Sequence, residues 1–137
     1  MSAINHVAVW VAGILQFLLG AGWYTLLGPA WMAGIGKTEA QLVAEHGRSP
    51  LPYIIALAAA LVVAYAIAWL LPKLGTPSAG SGTRAGATLA LALIASTLAM
   101  NYGFEARPLS LWLINAGYMV VGMTIMGAII GHWRKKA

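Results

Sequence analysis

The sequence predicts an all-α integral membrane protein: four transmembrane helices in an antiparallel bundle, with a short interfacial helix between the first and second. Two observations carry this. The chain of 137 residues is 61% hydrophobic and only 8% charged, too little charge to cover a water-soluble domain of this size. Its apolar residues also fall into four stretches, roughly 7–27, 51–71, 85–104 and 109–130. Each is close to the length of about 20 residues with which a helix crosses the hydrocarbon core. Membrane strands would show alternation over about 10 residues, and none is seen. Helices are then the form that satisfies the backbone in lipid. The whole of 1–137 reads as a single four-span domain.

The first span is read as a mature helix rather than a signal peptide, because its flank, Met1 to His6, has no Lys or Arg and its apolar run is too long. In the following loop Thr38 and Gln41 have capping-box spacing and Gly47 can terminate a helix, which predicts a helix over 39–46. Trp31, Met32 and Ile35 just before it place that segment in the membrane interface. Pro50 and Pro52 suit the first turn of the second span, and Pro72 suits its end. Gly75 to Gly82 reads as a flexible linker without chemistry. Only Ala106-Arg107-Pro108 joins the third and fourth spans, which must therefore be antiparallel neighbours.

Apolar surface drives no association between helices already in lipid, so small residues mark the expected contacts. They are Ala56, Ala60, Ala64 and Ala68 in the second span, Ala95, Ala99 and Gly103 in the third, and Gly127 with Gly131 in the fourth. Met119, Met123 and Met126 form a stripe read as adaptable packing. Four spans put both termini on one side, together with Lys73, Arg84, Arg134, Lys135 and Lys136. Lys37, Arg48 and Arg107 fall on the other side. The positive-inside bias then makes the termini cytoplasmic. Trp10, Trp69, Trp112 and Trp133 near the span ends read as interface anchors.

The polar residues of the spans gather in the middle and outer half. Thr97, Asn101 and Glu105 share a face of the third helix, and Asn115 and Tyr118 a face of the fourth. Asn101 and Asn115 lie at similar depths, so their amides are expected to face each other. Gln16, Trp23 and Tyr24 approach from the first span. These define a candidate polar pocket of Gln16, Trp23, Tyr24, Asn101, Glu105, Arg107, Asn115 and Tyr118. Glu105 and Arg107 are read first as a surface salt bridge fixing the hairpin, and alternatively as a tuned proton or cation site.

Several function classes are excluded by composition and spacing. With no cysteine there is no disulfide framework and no thiolate chemistry. The net charge of +5 is scattered over short loops rather than gathered on an aromatic face, which argues against nucleic acid. Of His6, His46 and His132 only His6 and His132 can meet, and no carboxylate lies on their side, so no metal site is expected. No phosphate loop, no nucleophile paired with a base and no cofactor motif is found, so the expectation is a non-enzyme without cofactor.

Gly22-Trp23-Tyr24 with Gly28 and Trp31, and Asn101-Tyr102, Phe104-Glu105, Arg107-Pro108 and Ile114-Asn115-Ala116-Gly117-Tyr118, resemble the bacterial membrane proteins grouped as domain of unknown function 1761. The resemblance spans Val7 to Trp133 and implies a small four-span protein of the bacterial cytoplasmic (inner) membrane. It supplies no activity. The residues themselves support an accessory or structural protein whose partners are the bilayer and either further copies of the chain or another membrane protein. The alternative is an oligomeric channel or transporter for a small cation or polar solute.

Overall fold

The computed structural model describes residues 3–134, so the terminal Lys135 and Lys136 lie outside the described residues. The described residues form helices α1 (His6–Leu26), α2 (Gly28–Ile35), α3 (Glu39–His46), α4 (Leu51–Leu70), α5 (Ala79–Leu89), α6 (Ser96–Phe104) and α7 (Leu109–His132). A 3-10 turn, Leu71–Lys73, extends α4, and a π-helical turn, Ala90–Ala95, joins α5 to α6 in one rod. Four of these units, His6–Leu26, Leu51–Lys73, Ala79–Phe104 and Leu109–His132, are long and apolar enough to cross a membrane.

Local chemistry sets the boundaries. The Asn5 side chain caps α1 by accepting from the Ala8 N–H at 3.3 Å. At α3 the capping box forms as the spacing predicts: the Gln41 N–H donates to Thr38 Oγ1 at 3.2 Å, and the Thr38 N–H donates to Gln41 Oε1 at 2.8 Å. Two expectations need correction. The loop before α3 contains a further helix, α2, with Pro29 in its first turn and Gly36 ending it at φ 71°. The third long helix begins at Ala79 rather than 85, because Ser78 and Ser81 form a second capping box across what reads as a linker. Glycine and serine there serve a cap and a close helix contact, not flexibility.

That contact joins the α5 rod to α7. Gly82 lies against Gly127, Gly86 against the Met123 carbonyl, and Gly131 against the Ser78 carbonyl. A Cβ added at Gly82 would stand 2.6 Å from the Gly127 carbonyl carbon, closer than real Cβ atoms come. The two backbones touch because neither carries a side chain at the seam, and the descending partner numbers show that the helices run antiparallel. α1 pairs with α4 in the same sense, His6 beside Tyr65 and Gly13 beside Leu61. α1 also crosses α7, where Gln16 lies over Gly122. The first and last described residues accordingly meet at one end, where Asn5 Nδ2 donates to the Trp133 carbonyl at 2.8 Å.

The alanine seam of α4 is buried at Ala60, Ala64 and Ala68, while Ala56 is exposed. On the third rod only Ala95 of the expected seam is buried, and Ala99 and Gly103 are exposed. The π turn explains this. The Ser96 N–H bonds to the Leu91 carbonyl, an i→i+5 bond that takes one extra residue into the turn. The inward face set by Gly82, Gly86 and Ala90 would continue in an unbroken α-helix through 94, 97 and 101. One added residue moves it to Ala95, Leu98 and Tyr102, which are the more buried positions of that stretch.

The apolar core lies toward the terminal end. Val9 and Ala12 of α1, Ala64, Ile67 and Ala68 of α4 with Leu71, Ala90 of the π turn, and Met123, Met126 and Ile130 of α7 form one cluster. Met123 and Met126 are buried in it, as expected of packing methionines. Polar side chains take over beyond the midpoint.

Candidate functional site

In the half of the molecule away from the termini, α1, α6 and α7 are joined by side-chain hydrogen bonds. Asn115 on α7 is the hub. Its Oδ1 accepts from the Tyr24 hydroxyl at 2.7 Å, and its Nδ2 donates to the Tyr102 hydroxyl at 2.7 Å. Trp23 Nε1 donates to the Ile114 carbonyl at 2.9 Å, and the Tyr118 hydroxyl donates to the Gln16 carbonyl at 3.0 Å. Trp112 Nε1 donates to the Ala95 carbonyl at 2.8 Å, so this indole stitches α7 to the π turn rather than serving only as an interface anchor.

Glycines and ring packing set this geometry. Gly117 lets the Trp23 indole lie on α7, since a Cβ there would come within 3.2 Å of the ring, and Gly20 admits the Tyr118 ring in the same way. The Tyr24 ring meets Tyr118 edge-on at 5.4 Å and Trp31 of α2 edge-on at 6.0 Å between centroids. α2 folds back so that Gly34 rests on Leu111 at the start of α7. The short helix that precedes α3 thus packs against the cluster at Tyr24 and against the start of α7.

The family model described as "Protein of unknown function (DUF1761)" matches residues 7–131, nearly the whole chain. The chain belongs to the DUF1761 family. Neither a curated protein nor a solved structure gives a significant match.

The eight candidate residues fall into three groups. Trp23, Tyr24, Asn115 and Tyr118 form the hydrogen-bonded cluster. Gln16 lies deeper, 4% exposed, with Nε2 3.9 Å from the Met119 sulfur and Oε1 without a partner. Asn101, Glu105 and Arg107 are exposed. The expected meeting of the Asn101 and Asn115 amides does not occur: the residue added in the π turn rotates Asn101 outward and brings Tyr102 to Asn115. Tyr102 is the member that periodicity missed. Its neighbour Asn101 carried the stronger polar signal, and nothing in the apolar run Ala90 to Ala95 announces a π turn.

Glu105 and Arg107 form a salt bridge at 3.0 Å within the α6–α7 hairpin, both side chains well exposed. The hairpin itself is held by backbone. The Arg107 N–H donates to the Tyr102 carbonyl and the Ala106 N–H to that of Gly103, with Ala106 in left-handed conformation at φ 53°. At the edge of the molecule Lys37 pairs with Glu45, which holds the Glu45 carboxyl below its usual range, chiefly through the hydrogen bond from the ammonium group. No group of three or more His, Cys, Asp or Glu able to hold a metal is found among the described residues.

Proposed function

We propose that this DUF1761 protein is a non-enzymatic, four-span protein of the bacterial cytoplasmic membrane with cytoplasmic termini, and that the cluster around Asn115 is a lock holding its bundle together in an accessory or structural role. One observation carries the reading. Both ends of the Asn115 side chain are spent on tyrosines of two other helices, which leaves a satisfied network rather than an open set of ligand donors. The carboxylate and guanidinium nearest to it pair with each other at the surface. Lys73, Arg84 and Arg134 at the terminal end support the orientation. The exposed apolar surface of α4, with Tyr53, Ile54, Ile55 and Val62, suits lipid or a second membrane chain.

Asn115→Leu tests the lock. It removes two hydrogen bonds, each worth about 0.6 kcal/mol on average between membrane helices. It also strands two hydroxyls, so a loss of about 1–3 kcal/mol is expected in detergent unfolding. Liposomes carrying the wild type should show no ion or proton flux above empty vesicles. Flux that vanishes in a fully stable Asn115→Leu variant would overturn the reading and make the cluster a conduction site.

A further inference from the structure

A cavity of about 150 Å³ lies between α1, α4 and α7, lined by Gln16, Ala56, Ala59, Ala60, Val63, Tyr118, Met119 and Met126. It lies beside the Asn115 hub, with Tyr118 shared between the two. Ala59 and Ala56 are exposed at its rim, so it opens sideways on the apolar flank of α4 rather than toward either end of the bundle. Gln16 sits ten residues from each end of α1, about 15 Å along the axis at 1.5 Å per residue, so the opening faces the depth of the membrane's centre.

Two features make this more than a packing gap. The α4 wall is built from alanines where leucine or isoleucine would close it. The remaining wall carries a polar group with no partner: Gln16 is 4% exposed, its Oε1 accepts no hydrogen bond, and its Nε2 reaches only a thioether at 3.9 Å. Gly122 gives the amide its place, since any side chain there would collide with it. A buried amide left unpaired is costly, and such exceptions call for an occupant. One water could serve the amide, since the Tyr118 oxygen still accepts while its hydroxyl donates to the Gln16 carbonyl, but it would leave the apolar remainder of the cavity unfilled.

We propose that this cavity binds a lipid-soluble phenolic ring whose hydroxyl donates to Gln16 Oε1. A cavity of about 150 Å³ with apolar walls is the size that admits a single benzene ring. The thioethers of Met119 and Met126 offer the sulfur–aromatic contacts that favour a ring over an alkyl chain. A hydroxyl both donates and accepts, matching the two unequal ends of the amide. Entry is from the bilayer, past Ala59. The site needs no charge, and none lines it.

The test uses the full-length protein in nanodiscs and the probes 4-fluorophenol and fluorobenzene, observed by ¹⁹F NMR. The wild type should bind 4-fluorophenol saturably, above its partition into empty nanodiscs. Gln16→Leu should weaken 4-fluorophenol about tenfold, the size of one hydrogen bond, while leaving fluorobenzene unchanged. Ala59→Phe, at the exposed rim, should exclude both probes from a protein whose fold is undisturbed. Equal affinity of 4-fluorophenol for the wild type and a folded Gln16→Leu variant would overturn the proposal, as would partition identical to that of empty nanodiscs. Neither result bears on the Asn115 lock, which is read from stability rather than binding.

Discussion

Deleting one residue from the middle of a long packed helix should ordinarily ruin its packing, yet deletion of Leu93 is expected to leave this bundle intact. In a regular α-helix each residue turns the chain by about 100° and advances it by about 1.5 Å. At a side-chain radius of about 5 Å, a lost residue displaces every later group sideways by about 8 Å. That is far beyond the 2.7 Å bond between Asn115 and Tyr102. The rod formed by α5 and α6 already holds one residue too many, within Ala90–Ala95. Removing exposed Leu93 brings Ala90 and Ala95 from five apart to four, the α-helical interval, so Gly82, Gly86, Ala90, Ala95 and Tyr102 keep one common face. The expected cost is within roughly 1 kcal/mol, like that of a tolerated surface change. Deleting Val121 from the unbroken α7 is the contrast, because it turns Asn115 and Tyr118 by about 100° against Gly127 and Gly131. Thermal unfolding in detergent compares the two. If the Leu93 deletion unfolds as readily as the Val121 deletion, the account of the π turn is wrong.

Further outcomes follow from the same contacts. Gly82→Ala sets a Cβ against the backbone of Gly127, which cannot yield as a side chain would, so the helices must separate at a cost of about 2–3 kcal/mol. Gly22→Ala in α1 meets nothing within 4 Å and should be neutral or gain up to about 1 kcal/mol in detergent unfolding. Ala106→Gly relieves a left-handed alanine and should stabilise the hairpin by about 0.5–1 kcal/mol in the same assay. Glu45 has a depressed carboxyl pKa, so the support that its pair gives α3 is complete above the unfolded-state pKa and is lost as pH falls through the folded one. Lys37→Met should move the NMR titration of Glu45 up toward the ordinary carboxylate range while leaving global unfolding unchanged, because the pair is exposed.

Composition and hydropathy are additive along the chain, and they were enough to define an all-helical protein with four helices long and apolar enough to cross a membrane. Caps are local, so the sequence also determined α3 through Thr38, Gln41 and Gly47, and the GxxxG of Gly127 and Gly131 marked a real seam. The second capping box, Ser78 with Ser81, was equally local but hidden by a glycine-rich run that reads as linker. What only the tertiary structure decided was phase. Whether position 101 or 102 faces α7 depends on one extra residue in a π turn, and the apolar stretch from Ala90 to Ala95 carries no cap, proline or charge to signal it. Helical periodicity accumulates from a starting point, so a single added residue rotates every later side chain. That is why Asn101 turns outward, Tyr102 meets Asn115, and Trp112 finds the Ala95 carbonyl.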